Sequence, residues 1–146
     1  MKITYQIFIL ILVTTFFEVN AQVNIVACNY IRPIHFNFGE FDFKEDEITK
    51  LEYAIKLLKD NPTSEMEIHG HTDCRGSKSS NLKLSKKRAQ VVIDYFIKNG
   101  IDKTRLCGKD YGEKKLINSC NCNEINPCTD EQYLENNRVE FVFVKF

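Results

Sequence analysis

Two periods of apolar residues divide the chain into alternating strands and helices. Ile34, Phe36 and Phe38 alternate with His35 and Asn37, the spacing of a half-buried strand that Gly39 ends. Across residues 46–59 the spacing changes: Ile48, Leu51, Ile55 and Leu58 recur as on one side of a helix. Acidic residues crowd its first turn and Lys56 and Lys59 its last, which suits the helix dipole, and Asn61-Pro62 stops it. Period two returns at residues 65–71, with Met66, Ile68 and Gly70 facing one way and Glu67, His69 and His71 the other. The apolar side should meet the helices. A Gly- and Ser-rich loop over residues 74–80 leads to a long helix that begins at Asn81 or Leu84 and ends at Lys98. Its stripe is Leu84, Ala89, Val92, Ile93, Phe96 and Ile97, and Gly100 followed by Ile101 suits a left-handed cap.

A strand over residues 105–108, a turn at 112–113, a cysteine-containing loop and a short helix at 130–135 come next. The last strand, residues 138–145, sets Val139, Phe141 and Phe143 against Glu140, Val142 and Val144; with both faces largely apolar it belongs in the sheet interior. The sum is an α+β fold, one mixed β-sheet with helices packed on one face, in β-α-β-α-β-α-β order.

The 146 residues make one domain, read here as 34–146, behind an arm of residues 22–33 and a signal peptide of residues 1–21. Lys2, the apolar run from Ile7 to Phe17 and the small-residue site Val19-Asn20-Ala21 mark that signal, which implies export. Ile25-Val26-Ala27-Cys28 is a competing lipoprotein cleavage box, and lipidation at Cys28 would pin the chain to the outer membrane. Lys plus Arg balance Asp plus Glu at 20 each, so no basic field exists to hold nucleic acid. Six cysteines fit an oxidising compartment and a disulfide framework, whose connectivity the sequence leaves open.

The chemistry concentrates between Ile68 and Ala89. Asp73 follows a strand and Arg88 lies within the long helix, so an acceptor and a planar cationic fork could together grip a ligand carrying an ammonium beside a carboxylate. Plainer roles compete with this one. Asp73 could bond neighbouring loop amides, Arg88 could be a solvated residue beside Lys86 and Lys87, and Asn81 could either touch a ligand or fix the loop.

Gly70, His71, Thr72, Asp73, Gly76, Asn81, Leu84, Ser85, Arg88 and Ala89, then Gly100, Ile101, Arg105, Leu106, Tyr111-Gly112-Glu113 and Asn136-Asn137-Arg138-Val139-Glu140, resemble the peptidoglycan-binding OmpA-like domain family. The resemblance spans residues 34–146. It implies a non-catalytic module of the periplasm and outer membrane that tethers the protein, or the membrane, to the cell wall and needs no cofactor. It implies further that Asp73 and Arg88 hold the ammonium and carboxylate of meso-diaminopimelate in the peptidoglycan stem peptide, with Asn81 and Arg138 as further ligand contacts. A Cys120–Cys128 bridge also follows from it; Cys74–Cys107 and Cys28–Cys122 are the other expected pairs. Two positions depart from the family: Asn137 replaces the first Arg of an Asn-Arg-Arg pattern, and Asn37 stands where an Asp is frequent.

Two alternatives stay open. His69, His71 and Cys74 could serve a periplasmic metal- or thiol-dependent enzyme, although no metal site is expected. A domain that has kept the fold and lost the wall for a protein partner is the other.

Overall fold

The computed structural model describes residues 31–120, 122 and 128–145. The expected signal peptide, most of the arm, and Cys28 with its pairing and lipidation lie outside the described residues. Among the described residues, four strands and three helices follow in order as β1 (Ile34–His35), α1 (Ile48–Asp60), β2 (Glu65–His71), α2 (Lys78–Lys98), β3 (Leu106–Gly112), α3 (Asp130–Asn136) and β4 (Arg138–Lys145). Single 3₁₀ turns at Glu45–Glu47 and Lys103–Arg105 precede α1 and β3.

The sheet runs β1-β4-β2-β3, so β4 does sit inside it. β2 and β3 are parallel, a pairing that needs a long crossover, and α2 supplies it. β4 is antiparallel to both β1 and β2. Met66, Ile68 and Val139 are fully buried with Leu51, Leu58, Val92 and Phe96 of the helices, and Phe96 stacks on Phe141 at 6.0 Å between ring centroids. No helix among the described residues is long and apolar enough to cross a membrane.

Helix and sheet come into backbone contact at Gly70. A Cβ there would lie 2.0 Å from the Ser85 carbonyl oxygen, so only glycine lets α2 lie this near β2. Ser85 Oγ uses that proximity to accept the Gly112 amide at 2.9 Å, joining α2 to the end of β3. Arg105 fixes the far end of the layer, donating to the carbonyls of Leu58, Asn61 and Ser64, which gathers the C-terminus of α1 against the start of β2.

Three boundaries differ from the sequence expectation. α2 starts at Lys78 because Ser77 Oγ accepts the Ser80 amide as an N-cap, which converts the end of the expected loop into helix. β1 is only two residues long, and Phe38 is 58% exposed, because the chain turns at Gly39 with φ +73°. β3 runs on to Gly112, paired with β2 as far as His71 across a register shift after Gly70.

Candidate functional site

The buried face of α2 changes character along its length. Val92, Ile93 and Phe96 pack into the core, while Asn81, Ser85 and Arg88 extend the same face towards the helix N-terminus. At that end it meets the loop after β2, the turn after β1 and the C-terminus of α3. Here the structure brings together Asp73, Arg88 and Asn81, three of the expected residues.

Arg88 is fully buried. Its Nε donates to the Glu40 carbonyl at 2.8 Å, Nη1 to the His71 carbonyl at 2.9 Å and to Asn137 Oδ1 at 2.8 Å, and Nη2 to the Asn37 carbonyl at 2.9 Å. Burial draws this guanidinium down to about 10 against the pull of the Asp73 and Glu40 carboxylates, which leaves it a cation at neutral pH. It therefore carries fixed positive charge into the site.

Asp73 is just as enclosed, at 1% exposure. Its Oδ1 accepts the Arg75 amide at 2.8 Å, and its Oδ2 accepts Arg75 Nε at 3.0 Å and Nη2 at 2.6 Å. Asn137 joins the two charged residues. Its Nδ2 donates to Asp73 Oδ2 at 2.6 Å and to the Tyr133 carbonyl at 3.0 Å, while its Oδ1 accepts from Arg88 and, at 3.3 Å, from the Asp73 amide. Both amide hydrogens and both oxygen lone pairs of Asn137 are thereby used. The position that departs from the family pattern is the centre of the network. Asn37 contributes its backbone oxygen to Arg88, and its side chain bonds Glu40.

Asn81 fixes the loop: its Nδ2 donates to the Asp73 carbonyl at 3.3 Å and to Glu113 Oε2 at 2.6 Å. Arg138 lies apart from this group. It donates to Glu140 through Nε at 2.7 Å and to the Lys115 carbonyl through Nη2, and shares no hydrogen-bond partner with Asp73 or Arg88. A cleft of about 460 Å³ opens beyond Asn81 between Leu82, Tyr111 and Lys78, and neither charged residue of the network lines it.

Two residues of the site carried no sequence signal. Arg75 covers Asp73, and its guanidinium carbon lies 4.1 Å from the Phe38 ring centroid and 3.8 Å from that of Tyr133. Tyr133 comes from α3, whose Thr129 forms a capping box with Gln132. Asn136 then ties α3 to the cysteine loop, accepting the Ile117 amide and donating to Asn118 Oδ1.

The disulfides differ from the expected set. Cys120 bonds Cys128, but Cys74 bonds Cys122 in place of Cys107, which removes Cys122 from the expected pairing with Cys28. Cys107 is a free, exposed thiol on β3. The Cys74–Cys122 bond restrains the backbone between Asp73 and Arg75. It also deprives the enzyme reading of its thiol and of one metal ligand.

The remaining cluster is His69, His71 and Glu140, whose ligand atoms lie within 4.8 Å of one another. Glu67 holds His69 Nε2 at 2.8 Å and Arg138 holds Glu140, so each would compete with a metal. His71 is buried beneath Tyr111, stacked at 5.1 Å. Burial first, then the Arg138 guanidinium, push its imidazole down to about 4, and it is neutral at pH 7.

Comparison with known proteins agrees with the fold. The model of the OmpA family matches residues 35–127, and the chain belongs to that family. The peptidoglycan-associated lipoprotein of Pseudomonas putida is 30% identical over 115 residues, covering 78% of this chain and 64% of that protein. The protein of the same name from Haemophilus influenzae is 29% identical over 82 residues, covering 56% of this chain and 54% of that one. The chain thus spans less than two thirds of either relative. Among solved structures, the C-terminal domain of Helicobacter pylori MotB superposes with a TM-score of 0.65 at 26% identity, over 80% of this chain and 86% of that one. The peptidoglycan-associated lipoprotein of Burkholderia pseudomallei shares the fold with a TM-score of 0.69 at 23% identity, over 77% and 89%.

Proposed function

We propose that this domain binds peptidoglycan noncovalently through the meso-diaminopimelate head group of the stem peptide and so tethers its carrier, or the outer membrane, to the wall of an exported cell envelope. One observation carries the proposal: a carboxylate and a guanidinium, Asp73 and Arg88, are held as neighbours by one shared partner, Asn137. An acceptor and a cation bridged by one amide complement an ammonium and a carboxylate on one carbon. The names of the Pseudomonas putida and Haemophilus influenzae relatives support peptidoglycan as the polymer recognised. Asn81 acts by fixing the Asp73 loop, and Arg138 by supporting β4 beside the site. The domain is a binder and not a catalyst in this reading, with wall copy number compensating for modest single-site affinity.

Four of the five Arg88 N–H donors already have protein acceptors. A ligand carboxylate therefore takes the remaining Nη2 hydrogen, or displaces the Asn37 or Glu40 carbonyl as the turn after β1 moves. Cosedimentation with purified sacculi tests the proposal. The mature protein should pellet with diaminopimelate-type peptidoglycan and not with lysine-type, which lacks the second amino acid centre. Asp73→Asn and Arg88→Lys should lose binding while circular dichroism shows the fold kept. Equal pelleting of wild type and both variants would overturn it.

A further inference from the structure

We infer that Asp73, Phe38 and Tyr133 form a cage for a ligand cation, and that Arg75 is its built-in competitor, seated in the cage until a ligand ammonium displaces it. The inference rests on the peptidoglycan reading and adds to it how access to the site is set.

The cage has an anionic floor and aromatic walls. Asp73 Oδ2 accepts two guanidinium N–H groups of Arg75, and the guanidinium carbon lies within about 4 Å of both ring centroids, close enough for both rings to attract a cation. These contacts are the ones a ligand ammonium would make. Asp73 is 1% exposed, so an incoming cation cannot reach its carboxylate while Arg75 remains in place.

The occupant is the part that can move. The Arg75 side chain is 33% exposed against 2% for Asp73, and Phe38 lies open to solvent on the turn after β1. Asp73 is by contrast held by Asn137 from below, and the Cys74–Cys122 bond anchors the backbone between donor and acceptor. Swinging Arg75 out exposes Asp73 Oδ2 with Asn137 and Arg88 still in position. Arg75 also sets selectivity, because a ligand must exceed a tethered guanidinium in its fit to Asp73. A neutral sugar or a lone carboxylate does not meet that condition.

An internal competitor lowers apparent affinity by the fraction of time the cage is free. If Arg75 fills it about nine-tenths of the time, its removal tightens binding roughly tenfold, or about 1.4 kcal/mol. The test is titration calorimetry of wild type and Arg75→Ala with the soluble tripeptide L-Ala-γ-D-Glu-meso-diaminopimelate. Solvent exchange of the Arg75 Nε–H is followed in parallel by NMR on wild type. Tighter binding by Arg75→Ala, together with faster Nε–H exchange on adding tripeptide to wild type, is expected. Equal or weaker binding by the variant, or a wild-type Nε–H that stays protected at saturation, overturns the competitor role and leaves the wall-binding reading standing. Absence of binding by both proteins overturns that reading and this inference with it.

Discussion

Replacing Asn137 by Ala removes one side chain and four hydrogen bonds: those to Asp73 Oδ2 and the Tyr133 carbonyl, and those from Arg88 Nη1 and the Asp73 amide. Two of the four involve charged groups, and a hydrogen bond to a charge contributes about 1.5–3 kcal/mol net. Part of this is recovered. Arg75 still covers Asp73, and the His71 carbonyl still accepts from Arg88 Nη1. The expected loss is therefore about 2–4 kcal/mol, a large share of the roughly 5–15 kcal/mol of a typical domain. At roughly 3–5 °C per kcal/mol for a domain of this size, Tm should fall by about 6–20 °C. Far-UV circular dichroism melts, with urea unfolding to show an unchanged slope, measure it. Asn137→Asp is the informative companion, because it sets a second carboxylate against Asp73. Like charges raise a carboxylate pKa in the folded state, so this variant should recover stability relative to wild type as pH falls below about 5. A loss under about 1 kcal/mol for Asn137→Ala, or no relative recovery for Asn137→Asp, would refute the network as drawn.

Other outcomes follow from the same structure. His71 sits at about 4 in the folded chain against an ordinary 6.5, so the unfolded chain takes up this proton first; stability should be complete above about pH 6.5 and fall by about 2–3 kcal/mol as pH drops through 4. Denaturation midpoints across that range should show the limb in wild type and not in His71→Phe. Gly70→Ala, which meets the Ser85 carbonyl, should cost at least about 3 kcal/mol, whereas Gly39→Ala, with open space but φ +73°, should cost about 1 kcal/mol in the same unfolding assay. On a chain-entropy basis, removing the Cys74–Cys122 bond, which spans 48 residues, should cost about 4 kcal/mol, and removing Cys120–Cys128, which spans 8, about 2.5 kcal/mol. Paired Cys→Ser variants compared by urea unfolding would check that order.

The order of strands and helices was legible because Met66, Ile68, Val92 and Phe96 repeat at the spacing their elements require, and burial follows repetition. Capping was less so: Ser77 starts α2 three residues before Asn81 because a single hydroxyl satisfies the Ser80 amide, a local event without periodicity. The charged pair was found because an acid after a strand and an Arg in a helix are each conspicuous, and the polar spacing of Asn81, Ser85 and Arg88 could have shown that they continue the buried face of Val92 and Phe96. Asn137 showed only as a departure, since comparison with a family pattern registers the missing guanidinium and not the four bonds an amide can make. Arg75 was passed over because its partners, Phe38 and Tyr133, are remote in sequence. Cys120–Cys128 matched the expectation, whereas the Cys74–Cys122 pair stayed hidden for the same reason, as their proximity depends on where α3 places its loop.

The hydrogen bonds between Asn137 and Asp73 join residues 64 positions apart, and β4, which separates β1 from β2, follows the other described strands in sequence. A polypeptide emerging N-terminus first thus cannot complete either its sheet or its charged cluster until residues 137–145 arrive. Deleting those residues would abolish both at once, so the sheet and the cluster close in a single late event.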